Sequence, residues 1–194
     1  MKGQSMKYPK MEWGTMEAIV NKLGGEEAVA RFLRGELTVR ESDLLRKLVT
    51  VPVKGAKKFV AKDHIKSANV GYTGTNFDKL FLDLVEENVE DANLAGHSLG
   101  RKSLDAPIMA ELGDRAKIKL AHFFGLVEKQ SKGEAGTLLT NGCANIAYIE
   151  GIDGNLWVVG ALWVSGYGVW DVRARSVGRQ RAWLAGRQVL SCDS

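Results

Sequence analysis

Two cysteines and three histidines are the residues of this 194-residue chain best suited to nucleophilic or acid–base chemistry. A cysteine attacks as its thiolate and needs a base within hydrogen-bond reach. Cys143 stands in TNGCAN, just ahead of an expected strand. His97 stands in AGHSLGRK, read as a polar loop of the kind that carries functional residues. Cys143 and His97 are therefore the candidate catalytic residues of a small hydrolase or transferase, although no spacing joins them to each other. His122 falls beside an apolar helix stripe and reads as a core residue, and nothing places His64 near Cys143. Residues 96–100 (GHSLG) match G-x-S-x-G with Ser98 at the nucleophile position. That motif needs a strand-to-helix elbow, and here an expected helix precedes it. There is no CxxC, HExxH or His-x-His spacing, so no metal site is expected. No GxGxxG follows a strand and no GxxxxGK[ST] occurs, so no cofactor is expected either. The leading reading is a non-enzymatic binding or interaction protein with an unknown protein or ligand as its partner.

Two features suit binding. Residues 54–66 (KGAKKFVAKDHIK) hold five lysines against one aspartate, with Phe59 interleaved. Lys54, Lys57, Lys58 and Lys62 are the candidate phosphate contacts of a nucleic-acid surface, with Phe59 available for stacking. The second feature is aromatic. Trp157 and Trp163 are six apart in an expected strand and share a face, and Trp170 lies on the next strand within pairing distance. Such a row serves as a platform for sugar rings, bases or a partner protein, or as the core of a small sheet, and core is favoured.

These residues need elements to hold them. Residues 1–14 read as a lead-in. Short helices are expected at about 15–23, ended by Gly24-Gly25, and 26–34, stopped by Gly35. A third helix to about residue 48 is announced by Thr38-x-x-Glu41, a capping-box pattern. Three such helices invite a helix-turn-helix reading, weakened by a long second turn and by Glu41 and Asp43, acids that would face phosphate. Residues 49–53 are β-branched but carry Pro52, which suits an edge strand. Phe77, Leu80, Phe81, Leu84, Val85 and Val89 follow helical spacing, so a helix is expected over 76–93, its acids facing water. Pro107 opens a helical turn, and another helix should run over 114–129. Beyond residue 133 the period changes. Strands are expected at 144–150, 156–164, 169–176 and 187–191, forming an antiparallel meander. The fold class is therefore α+β, with a 15–133 helical region and a 134–194 Trp-rich β module, separate or packed as one domain.

Composition agrees with a globular chain: 45% of residues are hydrophobic and 26% charged. No apolar run approaches the roughly 20 residues a membrane helix needs, and the N-terminus has no secretory h-region, so a cytoplasmic address with no membrane partner is expected. Charge is uneven. Residues 1–70 carry 14 Lys/Arg against 8 Asp/Glu, whereas residues 134–194 carry 5 against 5 with no lysine. That last block holds four of the five tryptophans, which places the compositional boundary near residue 133.

Two stretches resemble a group of short bacterial proteins of unknown activity. Residues 21–39 (NKLGGEEAVARFLRGELTV) are similar to that group's opening. LLTNGCANIAYI, LWVVGALWVSGYGVWDVRARSV and AGRQVLS are similar to its closing module. The resemblance implies a recurrent C-terminal β module joined to variable helical material, and it transfers no residue role.

Overall fold

The computed structural model describes residues 12–38 and 43–193, which fall into two compact units divided after residue 41. The first unit contains α1 (Trp13–Leu23) and α2 (Glu26–Leu33), as the sequence predicts. Gly24, at φ 100°, ends α1, and the Gly25 N–H donates to the Val20 carbonyl at 2.9 Å, closing the helix with a left-handed glycine cap. Neither helix contains a buried residue. Most of the expected capping box lies outside the described residues. The third helix is not formed as expected: residues 45–53 are a strand, β1 (Leu45–Val53). The run of Val49, Thr50, Val51 and Val53 favours extended backbone over helix. The helix-turn-helix reading thereby loses its major-groove helix.

The second unit is built on a seven-stranded sheet. After β1 come β2 (Ala56–Val60), α3 (Ala61–His64), β3 (Val70–Thr73), α4 (Thr75–Leu80), β4 (Val85–Val89) and β5 (Ala92–Leu99). Then follow α5 (Asp105–Leu112), a 3-10 turn (Gly113–Ala116) and α6 (Leu120–Lys129). The last strands are β6 (Asn145–Glu150), β7 (Leu156–Val164), β8 (Val169–Ser176) and β9 (Gln188–Cys192). Strand order is β1-β5-β9-β6-β7-β8-β3, and β2 and β4 form a separate two-stranded sheet. Pairing is antiparallel except between β6 and β9 and between β3 and β8. The fold is α+β. The meander β6-β7-β8 matches the predicted strands almost to the residue, and Pro52 sits on the edge strand β1, where its missing N–H breaks no central ladder.

The expected 76–93 helix is the main correction. It stops at Leu80 and gives way to β4 and β5. Asn88 adopts a φ of 50°, which no helix continues through. Val85, expected to be inward, is exposed, whereas Glu86, expected to face water, is buried. Its carboxylate accepts the N–H groups of Leu120 at 3.1 Å and Ala121 at 2.8 Å, capping α6 from a distant strand.

The large sheet buries both faces. On one, Trp163, Trp170, Val159, Val172 and Leu190 pack in a cluster with Phe123, Phe124 and Val127 of α6 and Phe77 and Phe81. On the other, Ile146, Tyr148, Val158 and Val189 cluster with Ile108 and Leu112 of α5. Beyond α5 this second face is left open over β7 and β8, and the arginines collect there.

Candidate anion-binding pocket

Alternation along β8 decides which side chains reach the open face. Trp170, Val172 and Ala174 belong to the core cluster on one side, so Asp171, Arg173 and Arg175 take the other. On β7, Val158, Gly160 and Leu162 are paired opposite Arg175, Arg173 and Asp171, respectively. The connection from β8 to β9 returns over this patch and adds Arg179, Arg181, Trp183 and Arg187. The result is a concave pocket of about 550 Å³, within the roughly 300–1,000 Å³ of small-molecule sites. All five basic residues of the chain's last 61 residues line it, and every one is an arginine.

The pocket is fastened by one carboxylate. Asp105, at the first position of α5, is fully buried. Its Oδ1 accepts from Arg175 Nη2 at 2.8 Å, Trp183 Nε1 at 2.8 Å and the Tyr148 hydroxyl at 3.2 Å, and its Oδ2 accepts the Gly178 N–H at 3.2 Å. Burial, reinforced by the Asp105 charge, pushes the Tyr148 phenol well above its ordinary range, so it stays a donor. Four donors from β6, β8 and the β8–β9 connection thus meet on one anion, which fixes the connection against α5. The guanidinium of Arg175 also lies 4.1 Å from the Trp183 ring centroid, with that of Arg187 at 5.7 Å.

The arginines are not equally committed. Arg173 is held by Asp171, with Nε donating to Oδ1 at 2.8 Å and Nη2 to Oδ2 at 2.7 Å. Arg175 is held by Asp105. Arg179, Arg181 and Arg187 make no side-chain hydrogen bond or ion pair among the described residues. Two buried guanidinium nitrogens, Arg175 Nη1 and Arg187 Nε, also lack a hydrogen-bond partner. Unpaired buried donors are costly, and unpaired cations gathered in a concavity attract an anion.

The residues singled out from the sequence lie elsewhere. Lys54 donates to Asp91 at 2.6 Å and Lys62 to Asp83 at 2.7 Å, while Lys58 stands across the β2–β4 ladder from Glu87. The Asp91 contact lifts the Lys54 ammonium pKa and lowers that of Asp91 itself. Lys57 is exposed. The basic segment is thus faced by the acids of residues 83–91. Phe59 is buried and stacks on His64, with ring centroids 4.6 Å apart, so it offers no stacking surface.

The tryptophans form no surface row. Trp163 and Trp170 are buried and meet edge to face at 5.3 Å. Gly133, at φ 71°, lies so close to the Trp163 ring that a Cβ there would come within 2.2 Å of it. The half-buried Trp157 donates its Nε1 to Asp153 at 3.1–3.2 Å.

His97 and Cys143 are not brought together by any hydrogen bond among the described residues. His97 lies inside β5 rather than in a loop, is buried, and meets Ser191 Oγ at 3.0 Å. Burial, with Arg115 and Lys47 adding repulsion, lowers its pKa below the ordinary value. Cys143 is half-buried, and its backbone N–H donates to Asn141 Oδ1. Ser98 is paired within β5, between Arg46 and Gln188, and occupies no strand-to-helix elbow. His122 is a core residue whose Nε2 donates to the Glu90 carbonyl at 2.8 Å. A second cavity, of about 420 Å³, is lined by His64, Glu128, Lys54 and Lys129. There Glu128 holds His64 Nδ1 at 2.9 Å and accepts the Ser67 hydroxyl, which ties that hydroxyl to the carboxylate.

One signal could have revealed the arginine pocket. The run 173–187 spaces Arg173 and Arg175 for one strand face and holds five arginines and no lysine, arginine being the side chain suited to bidentate anion contacts. Among the described residues, no group of three His, Cys, Asp or Glu could hold a metal ion, and no helix is long and apolar enough to cross a membrane. Comparison with protein-family models, with curated proteins and with solved structures yields no match.

Proposed function

We propose that this protein is a binding protein for an anionic ligand, which it takes in the arginine pocket between β7, β8 and the β8–β9 connection. The observation that carries this reading is the set of three arginines, Arg179, Arg181 and Arg187, without acidic partners among the described residues, around a concavity whose β8–β9 wall is tied to Asp105 through Trp183. Arginine forks bind phosphate and carboxylate groups through paired N–H donors, and several cations lining one concavity raise the local concentration of an anion. The lysine segment supports nucleic-acid binding less well, because Lys54 and Lys62 already have carboxylate partners. The hydrolase or transferase reading is supported less well, because no hydrogen bond among the described residues joins the Cys143 thiol to a base.

Retention on heparin, a polyanion probe, separates these alternatives. The wild-type protein is expected to be retained at low salt and released as salt rises. An R179Q/R181Q variant should elute earlier, while a Lys54/Lys57/Lys58/Lys62 glutamine variant should elute close to wild type. The opposite ordering would move the binding face to the lysine segment.

A further inference from the structure

Resting on the anion-binding reading, we propose that the ligand of the arginine pocket carries two linked phosphate groups, a diphosphate or its ester, rather than a single phosphate. The pocket and its anchor bring together five guanidinium groups and two carboxylates, Asp171 and Asp105. Three positive charges are therefore uncompensated. Their mutual repulsion is relieved most by an anion of matching charge. A phosphate monoester carries about −1.5 to −2 at neutral pH and falls short of that balance, whereas two linked phosphates reach it.

Geometry points the same way. The free arginines come from opposite ends of the β8–β9 connection: Arg179 and Arg181 near its start, and Arg187 immediately before β9. The cavity, at about 550 Å³, has room for a diphosphate and its substituent. Arg175 is pinned by Asp105 and stacked on Trp183, the ring that the Arg187 guanidinium also approaches, at 5.7 Å. The buried Nη1 of Arg175 and the Nε of Arg187 are donors that find no acceptor among the described residues. A single long polymer is less favoured, because the unpaired positive charge is concentrated in one concavity, while Lys54 and Lys62 of the lysine segment are each paired with an acid.

Isothermal titration of the full chain tests this, with sodium orthophosphate, sodium pyrophosphate and a hydroxyl-ended single-stranded RNA oligonucleotide as probes at matched ionic strength. Pyrophosphate is expected to bind at least about tenfold tighter than orthophosphate. The R179Q/R181Q variant should reduce that preference to about threefold or less. Both side chains are exposed and make no hydrogen bond or ion pair among the described residues, so the variant should melt with the wild type. Equal affinity for the two phosphates would overturn the diphosphate proposal and leave the anion site standing. RNA binding more tightly than pyrophosphate would overturn it in favour of a polymer backbone. Absence of binding by all three probes would overturn both readings.

Discussion

At the scale of single residues, the chain's buried ionisable groups do structural work. Asp105 gathers four donors, and His97 is enclosed in the sheet against Ser191. Because burial lowers the His97 pKa from its ordinary 6.5, the unfolded chain binds a proton more readily than the folded one. Its contribution to stability is therefore full above about pH 6.5 and falls as pH drops from there towards the lowered folded pKa. Urea denaturation between pH 7.5 and 5 should show stability decreasing with acidity, and H97Q should decrease less steeply. An H97Q slope identical to wild type would show that this residue does not titrate differently on folding. None of this was legible in the sequence, where His97 reads as a loop residue. The packing partners that enclose it come from β9, some 94 residues away.

At the scale of elements, agreement follows the source of the signal. Strands β7 and β8 were legible because alternation and tight glycine turns are local properties. The segment 76–93 was not, because its apolar spacing fits a helix while its fate is set by Asn88 and by α6 needing an acid at its N-terminus. Glu86 serves that end in place of a local cap; α6 has no side-chain cap of its own at Lys119. Substituting Glu86 by Gln removes the charge and one acceptor oxygen. We expect a loss of about 1 kcal/mol in denaturant stability. A loss below about 0.3 kcal/mol would mean that the helix end is satisfied another way. The aromatic row belongs to the same lesson. Its shared face was readable from strand spacing, but its burial depended on α6 and on the loop that places Gly133 against Trp163.

At the scale of the whole molecule, a net charge of +4 says little until its distribution in space is known. The lysine-rich stretch, conspicuous in sequence, is largely answered by the acids of residues 83–91. The arginines of the last block balance its acids in number, yet the fold separates them. Of those five acids, only Asp171 lines the pocket. The proposed binding site follows at this scale from a sheet with α6 packed on one face and α5 on part of the other. The β8–β9 connection then completes a cationic concavity over the uncovered strands.

The measurement that tests this most directly is a map of backbone amide shifts in the ¹⁵N-labelled protein as pyrophosphate is added. The account predicts shifts concentrated at residues 158–162, 171–175 and 178–187, with residues 54–62 unmoved. Shifts centred on residues 54–62, or none at all, would contradict it.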